Sequence, residues 1–185
     1  MEQLIAAINF AAIKHADQRR SDPSQTPYIN HPIGVMHILC NEANVCDLDV
    51  LKAAVLHDTV EDTETTIGEI EENFGDHVRS IVAEVTDDKS LPKAERKRLQ
   101  VVNAPKKSRE AKLVKLADKL YNLRDLDRVT PVGWSEARVT QYYEWAGQVV
   151  SGLKGTNEIL EKKISEILAK KGITFEKILS ETTKD

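Results

Sequence analysis

An all-α fold is predicted for this chain, and three observations support it. Apolar residues recur at spacings of three and four along most of the sequence, as in Leu113, Leu116, Leu120 and Leu123. This spacing is that of one face of a helix. No segment shows a convincing alternation with period two, which is typical of a half-buried strand. Residues that favour helix ends stand at the limits of the apolar segments. We therefore expect about eight to ten helices.

Each predicted helix is bounded by residues suited to its ends. Asp47, Thr66, Ser135 and Thr156 are candidate N-caps, because their side-chain oxygens can accept a free N–H of the first turn. Pro32 suits a first turn and Gly75 suits a helix end. The main predicted helices are Leu4–Arg19, Pro32–Ala43, Leu48–Asp58, Ile67–Phe74, Asp76–Thr86, Lys93–Asn103, Arg109–Leu126, Glu136–Leu153 and Asn157–Lys170.

One longer connection is predicted, over residues 21–30. It contains Pro23 and Pro27 among small polar residues, a composition that excludes a helix. The connection leads directly to His31, so a loop here would be well placed to cover a pocket.

Length and composition favour one domain. The 185 residues, 41% of them hydrophobic, are enough to bury a core. No repeat, low-complexity tract or linker interrupts them, and we expect a single domain over residues 1–185. The net charge of -4 argues against a protein that coats nucleic acid, which requires clustered Lys and Arg.

The sequence also bears on cellular location. Cys40 and Cys46 are too few for a disulfide framework and are expected to be reduced thiols. The first residues do not form a signal peptide, and no stretch approaches the ~20 apolar residues of a membrane span. We expect a cytoplasmic protein that binds no membrane; its protein partners cannot be inferred.

Two histidines and two aspartates from three separate segments form a candidate metal site. His31 stands at a predicted helix start, and Asp118 lies within the run KLADKLYNLRD. His57 and Asp58 end an apolar helix. Imidazoles and carboxylates of this kind can hold a divalent ion with positions left open for water and phosphate. An alternative for Asp118 is an ion pair with a neighbouring Lys or Arg on a solvated face.

Two further acids, Glu61 and Asp62, complete the run HDTVED. So many imidazole and carboxyl groups within six residues repel one another unless a cation offsets them. Either acid could accept the proton of an attacking water while the other orients it, and the sequence does not say which. The alternative is that both are solvated loop acids that cap the next helix.

At these residues the chain resembles a known family. It is similar to the hydrolase domain of the RelA/SpoT homologs within the HD-domain superfamily, most closely to the small alarmone hydrolases of animals. The matching stretches are TPYINHPIGV, AAVLHDTVEDT, EVTDDKSLPKAERKRLQ, KLVKLADKLYNLRDL and GWSEARVTQYYEWA. The form HDxxED is far narrower than HD alone, and nearly the whole chain is covered.

The resemblance implies a helical HD-domain fold and an enzyme. It implies Mn²⁺ held by His31, His57, Asp58 and Asp118, although Fe²⁺, Zn²⁺ or Mg²⁺ suit the same ligand types. Glu61 and Asp62 would act on water as catalytic acids. The implied substrate is (p)ppGpp, from which the 3′-diphosphate is removed to give GDP or GTP and pyrophosphate. No residues remain for the synthetase domain of longer family members, so we expect degradation only.

A substrate with several phosphates requires cations. Arg is suited to bidentate phosphate contacts and to stacking on a base. The resemblance implies substrate contacts from Arg20, Lys93, Asn122, Arg138 and Tyr142. Ser21 stands where relatives often have a basic residue, which leaves the base-side contacts open. Trp134 and Trp145 are expected to pack under the long helices.

Two other interpretations stay open. The same site could act on a ribose phosphomonoester such as the 2′-phosphate of NADPH, or on another nucleotide. Alternatively, the chain could be a helical scaffold with a structural metal, although such a site would not require Glu61 and Asp62.

Overall fold

Ten α-helices run through residues 1–175, the part of the chain that the computed structural model describes. They are α1 (Glu2–Lys14), α2 (Asn30–His37), α3 (Leu48–Leu56), α4 (Thr59–Asp62), α5 (Ile67–Phe74), α6 (Asp76–Val85), α7 (Lys93–Asn103), α8 (Arg109–Arg128), α9 (Glu136–Ser151) and α10 (Glu158–Ala169). Residues 1–175 contain no strand, and the all-α prediction is confirmed. The predicted domain extends to residue 185, so its last ten residues lie outside the described part and its extent stays a prediction.

Most predicted helix ends agree with the structure. The side chains of Asp47, Thr66 and Ser135 accept backbone N–H groups of α3, α5 and α9 as N-caps. Gly75 ends α5 with a φ of 88°, a left-handed conformation that favours glycine. The N-cap of α10 is Asn157 and not Thr156, whose hydroxyl donates to the Leu153 carbonyl instead.

The structure differs from the predicted helices mainly at three places. α1 ends at Lys14, five residues before the predicted end, because the chain turns at His15 and Arg19 then pairs with Pro27 in an isolated bridge. The second predicted helix is divided into α2 and a π-helical turn, Ile38–Glu42. A short helix, α4, and a 3₁₀ turn, Ala104–Lys106, have no counterpart in the prediction.

Helix α3 lies at the centre of the core. Every residue from Val50 to Leu56 is buried, and the helix packs against α1, α2, α6 and α8. Helix α8 also lies deep in the fold, with Leu116, Leu120 and Leu123 fully buried. Because α2, α3 and α8 pack against one another, the side chains at their facing positions can meet at one point.

Helices α2 and α8 pack closely at Gly34. A Cβ atom built on this residue would lie 2.0 Å from the Tyr121 ring of α8, so a larger residue would displace the ring or the backbone. Gly34 therefore permits the close packing of the helix of His31 on the helix of Asp118.

The predicted loop before α2 is ordered by its own hydrogen bonds. The Asp22 carboxylate accepts from the backbone N–H and the hydroxyl of Thr26. The Arg20 N–H donates to the Thr26 carbonyl, and the Tyr28 N–H donates to the Gln18 carbonyl. The segment therefore folds back on itself and places Arg20 and Tyr28 on the same cavity as His31. None of the helices within residues 1–175 has the length and apolar character needed to cross a membrane.

Candidate active site

The four predicted metal ligands meet between α2, α3 and α8. The His31 Nε2 atom lies 3.4 Å from Asp58 Oδ2 and 3.3 Å from Asp118 Oδ1. The His57 Nε2 atom lies 3.1 Å and 3.9 Å from the same two oxygens. His31 and His57 are buried, and the Asp118 side chain is only 14% exposed. Asp118 is therefore not on a solvated face.

Neighbouring groups fix the orientation of these side chains. The His57 Nδ1–H donates to the Ala54 carbonyl at 2.8 Å, which directs Nε2 toward the carboxylates. Asp118 accepts from Asn122 Nδ2 at 2.6 Å and from Lys119 Nζ at 2.8 Å. Backbone and side-chain partners of this kind are typical around metal ligands.

The pKa values of the predicted ligands are shifted because their charged groups lie close together in a buried site. Burial lowers the pKa of His57, but Asp58 and Asp118 outweigh this and raise it to about 9. Burial raises the pKa of Asp58, yet the two imidazoles hold it well below its ordinary value. The pKa of Asp118 is lowered in the same way, by Lys119 and the imidazoles against burial. Two acids held ionised against burial make a strong local demand for positive charge.

A divalent ion fits this demand. Ligand atoms of His31, His57 and Asp118 all lie within 4.8 Å of one another, and the buried His57 Nε2, although 3.1 Å from Asp58 Oδ2, forms no well-aligned hydrogen bond. Buried polar atoms are almost always paired, so an orphaned imidazole nitrogen facing carboxylates requires an explanation. A shared cation in place of protons on the imidazoles supplies one. The residues present can hold a divalent metal.

The two predicted catalytic acids lie on the same cavity, on α4. The Glu61 Oε2 atom accepts the Asp87 backbone N–H at 3.1 Å, and Oε1 lies 3.5 Å from Arg96. Burial, followed by the charges of the neighbouring acids, raises the pKa of Glu61. Asp62 contacts the Lys89 ammonium. Neither acid caps α5, because Thr66 does so.

The sequence interpretation assigned no role to Tyr28, although it lies in the matching stretch TPYINHPIGV. Its hydroxyl donates to Asp58 Oδ2 at 2.7 Å and lies 3.3 Å from Asp62 Oδ2. The side chain therefore links a predicted metal ligand with a predicted catalytic acid. Its position three residues before His31, at the end of a Pro-containing loop, was the available signal.

Three adjoining cavities surround these residues. The metal cavity holds the predicted ligands and both acids, together with Arg20, Tyr28, Gln100, Lys115, Lys119 and Asn122. The loop-side cavity is lined by Arg20, Ser21, Tyr28, Asn122, Trp134 and Tyr142, among others. The α7–α9 cavity, of about 620 Å³, is lined by four cations, Lys93, Arg96, Lys97 and Arg138, and by Trp134, Tyr142 and Trp145.

The five predicted substrate contacts are all distributed over these cavities. Arg20 and Asn122 line both the metal cavity and the loop-side cavity, and Arg20 NH2 donates to Asn122 Oδ1 at 2.8 Å. Lys93 and Arg138 line the α7–α9 cavity, and Tyr142 lies between it and the loop-side cavity. Their contact with substrate stays a prediction.

Two aromatic side chains expected only to pack also line the surface of the α7–α9 cavity. Trp134 stacks under Arg138, with the guanidinium 4.1 Å from its ring, and contacts the Tyr142 ring at 5.7 Å. Trp145 packs partly buried on the core and carries the Lys97 ammonium 4.5 Å above its ring. Trp134 and Trp145 therefore pack against the core and also line the cavity, since one side of each ring is buried and the other faces solvent.

Comparisons with known proteins agree with this geometry. The family model of the HD domain matches residues 7–142. Guanosine-3′,5′-bis(diphosphate) 3′-pyrophosphohydrolase MESH1 of Homo sapiens is 63% identical over 173 residues, which cover 94% of this chain and 97% of that protein. The protein of the same name from Drosophila melanogaster is 53% identical over 171 residues, covering 92% and 96%.

Two solved structures share the fold of this chain. A structure described as a metazoan ortholog of SpoT that hydrolyzes ppGpp superposes with a TM-score of 0.92 at 53% identity, covering 93% of this chain and 97% of that one. The Listeria monocytogenes protein lmo0812 superposes with a TM-score of 0.65 at 28% identity. The chain therefore belongs to the HD-domain family and, within it, to the group of the animal SpoT-like MESH1 proteins.

Proposed function

We propose that this protein is a Mn²⁺-dependent (p)ppGpp 3′-pyrophosphohydrolase, which converts guanosine 3′,5′-bis(diphosphate) to GDP and pyrophosphate. The observation that carries the proposal is the meeting of His31, His57, Asp58 and Asp118 in one cavity beside Glu61 and Asp62. The 63% identity to proteins named for this activity supports the same substrate.

The two imidazoles and two carboxylates would hold the ion. When bound, it would supply positive charge to a phosphoryl oxygen and make water more acidic, which matters because phosphate esters hydrolyse very slowly. Mn²⁺ suits a mixed nitrogen and oxygen ligand set.

Glu61 is the group best suited to accept the proton of the attacking water. Its carboxyl has a raised pKa and lies on the metal cavity, so it can take up a proton near neutral pH more readily than an ordinary acid. Asp62 already accepts from Tyr28 and Lys89, and in this proposal it orients the water.

The substrate would extend on both sides of the bond that is cleaved. Water attacks the phosphorus next to the ribose 3′-oxygen, the P–O bond breaks, and the ribose oxygen takes a proton to become a hydroxyl. With the 3′-diphosphate in the metal cavity, Arg20, Asn122 and Tyr142 contact the nucleoside. Lys93 and Arg138 then face the 5′-diphosphate, since four cations and only two acids, Glu61 and Asp87, line their cavity.

A paired assay tests the proposal. Protein loaded with Mn²⁺ is expected to release pyrophosphate from ppGpp, and EDTA is expected to abolish the release. NADPH is assayed in parallel for orthophosphate. Faster turnover of NADPH would favour the phosphomonoesterase alternative, and no turnover of either compound by metal-loaded protein would favour the scaffold.

The identity of the ion requires its own measurement. Elemental analysis of the purified protein, followed by reconstitution of the metal-free protein with Mn²⁺, Fe²⁺, Zn²⁺ or Mg²⁺, is expected to give the highest rate with Mn²⁺. A higher rate with another ion would replace Mn²⁺ in the proposal and leave the reaction unchanged.

A further inference from the structure

Lys115 is a buried cation in the metal cavity that the proposed mechanism does not use. It lies on α8 one turn before Lys119, and only 5% of the residue is exposed. Both lysines line the metal cavity together with the predicted ligands. Burial of an ammonium group is costly, so a lysine at this position requires a compensating interaction.

The two lysines differ in how their charge is compensated. The Lys119 ammonium contacts the Asp118 carboxylate at 2.8 Å and lies 4.7 Å from the Trp145 ring centroid. Lys115 forms no ion pair within residues 1–175. Its described acceptor is the Val85 backbone carbonyl at 3.2 Å. Burial and the nearby Lys119 lower the pKa of Lys115 to about 8.

Capping of α6 does not account for the charge of Lys115. Val85 is the last residue of α6, and its carbonyl requires a donor but not a full positive charge. Lys107 supplies the matched case, because its ammonium donates to the preceding carbonyl, that of Glu84. Lys107 is only half-buried and lies outside the metal cavity, on a separate cavity with Asp87 and Asp88.

An ammonium has three N–H donors, and the Val85 carbonyl engages one of them. The remaining donors belong to a buried cation in a cavity that, under the proposed function, receives a diphosphate. Charge-assisted hydrogen bonds to phosphate oxygens are about twice as strong as neutral ones. Asp87 and Asp118 act on this charge from a distance, but no carboxylate among residues 1–175 forms an ion pair with it, and an anion in the cavity would supply that contact.

We propose that Lys115 is a substrate-binding residue whose ammonium holds the 3′-diphosphate in the metal cavity and keeps hold of it as pyrophosphate after cleavage. This assignment rests on the proposed function for the identity of the substrate. The observation that carries it is that a buried ammonium with no ion pair among the described residues lines the same cavity as Asp118 and His57.

The test measures pyrophosphate binding to the Mn²⁺-loaded protein by calorimetry, with GDP as a second ligand. Lys115→Gln keeps a donor for the Val85 carbonyl and removes the charge, and Lys115→Met removes both. Both variants are expected to weaken pyrophosphate binding by about tenfold or more, the effect of losing a hydrogen bond to a charged group, and to leave GDP binding within about twofold. Lys107→Gln, which alters the same helix end, is expected to bind pyrophosphate as the wild type does.

The outcomes separate this inference from the proposed function. Unchanged pyrophosphate binding in both Lys115 variants, or equal losses for pyrophosphate and GDP, would overturn the role of Lys115. Absence of pyrophosphate binding by the wild type would do the same, even if that protein hydrolyses ppGpp. Conversely, Lys115-dependent pyrophosphate binding without ppGpp turnover would reject the proposed reaction and retain the diphosphate site. Melting temperatures and metal content of all variants exclude loss of fold as the cause.

Discussion

Two segments of helix α8 differ in how their charged side chains are paired. In the middle of the helix, Lys115, Asp118 and Lys119 are mostly or almost fully buried and line the metal cavity. Closer to its C-terminal end, Arg124 forms two hydrogen bonds to the Glu42 carboxylate, at 2.7 Å and 2.8 Å, and Lys163 contacts the same carboxylate at 3.0 Å. These side chains are 39%, 21% and 37% exposed.

The charged side chains near Glu42 contribute to stability, whereas those of the metal cavity are arranged for function. Glu42, Arg124 and Lys163 each have a close partner of opposite sign, so their charges are compensated within the fold. In the metal cavity the carboxylates share imidazoles, the His57 Nε2 atom forms no well-aligned hydrogen bond, and Lys115 has no counter-ion among the described residues. Incomplete pairing in a buried site costs stability, and such sites are where function is expected.

The largest expected effect comes from removing a metal ligand. Asp118→Ala is expected to lose the bound ion and to lower kcat/KM for ppGpp by about three orders of magnitude or more, since the ion stabilises the charge of the transition state. Metal analysis and the pyrophosphate assay measure both effects. The control is Asp127→Ala. Asp127 lies on the same helix as Asp118 but pairs with Lys171, and this variant is expected to retain metal and activity. Equal losses in both variants would contradict the comparison.

Glu61→Gln is expected to retain the metal and to lower kcat by about 10² to 10⁴, the usual contribution of a general base. Because the raised pKa of Glu61 must be passed for the carboxyl to ionise, the wild-type rate is expected to fall with falling pH at a value above 4.5. The variant is expected to lack this acidic limb. A variant that also loses the ion would show that Glu61 supports the metal and is not the base.

Tyr28→Phe removes the hydroxyl that links Asp58 and Asp62 and keeps the ring that packs on His31. Metal affinity or kcat is expected to fall by about 10- to 100-fold, as for other groups that orient metal ligands. Titration of the metal-free protein with Mn²⁺ measures the affinity, and the rate at saturating Mn²⁺ measures kcat. Wild-type values for both would mean that the hydroxyl does not hold the carboxylates.

The smallest effect on activity is expected at Glu42, whose carboxylate pairs with Arg124 and Lys163. Arg124 and Lys163 outweigh burial and lower the pKa of Glu42 to about 2 from an ordinary 4.5. The ionised carboxylate therefore stabilises the fold above pH 4.5, and this contribution is lost as the pH falls toward 2. Glu42→Gln is expected to lower the free energy of unfolding by about 1–2 kcal/mol near pH 7, allowing for solvent screening.

Denaturant unfolding at several pH values measures this effect. The difference between the wild type and Glu42→Gln is expected to shrink below pH 4.5, while ppGpp turnover at neutral pH stays unchanged. A constant difference at all pH values would assign the effect to packing and not to charge.

Local signals explain which elements were predictable. Ile67–Phe74 and Lys93–Asn103 begin and end where predicted, because a capping Thr, a Gly or a Pro acts on residues a few positions away. The end of α1 was misplaced because His15, Gln18 and Arg19 are compatible with a helix. Their turn is fixed by contacts with residues much later in the chain, such as the Gln18 amide on the Asp62 carbonyl.

The sequence by itself determined the helical class and singled out the four predicted ligands and the two acids as candidates, because the periodicity of side chains and the motif HDxxED are local properties of the chain. Only the tertiary structure decided that Asp118 is buried against the imidazoles, that Tyr28 links Asp58 and Asp62, and that Lys115 and Lys119 share one cavity but differ in pairing. The reason is physical: whether a charge is paired depends on groups brought together by packing, such as the approach of α2 to α8 at Gly34. Spacing along one segment cannot report that distance.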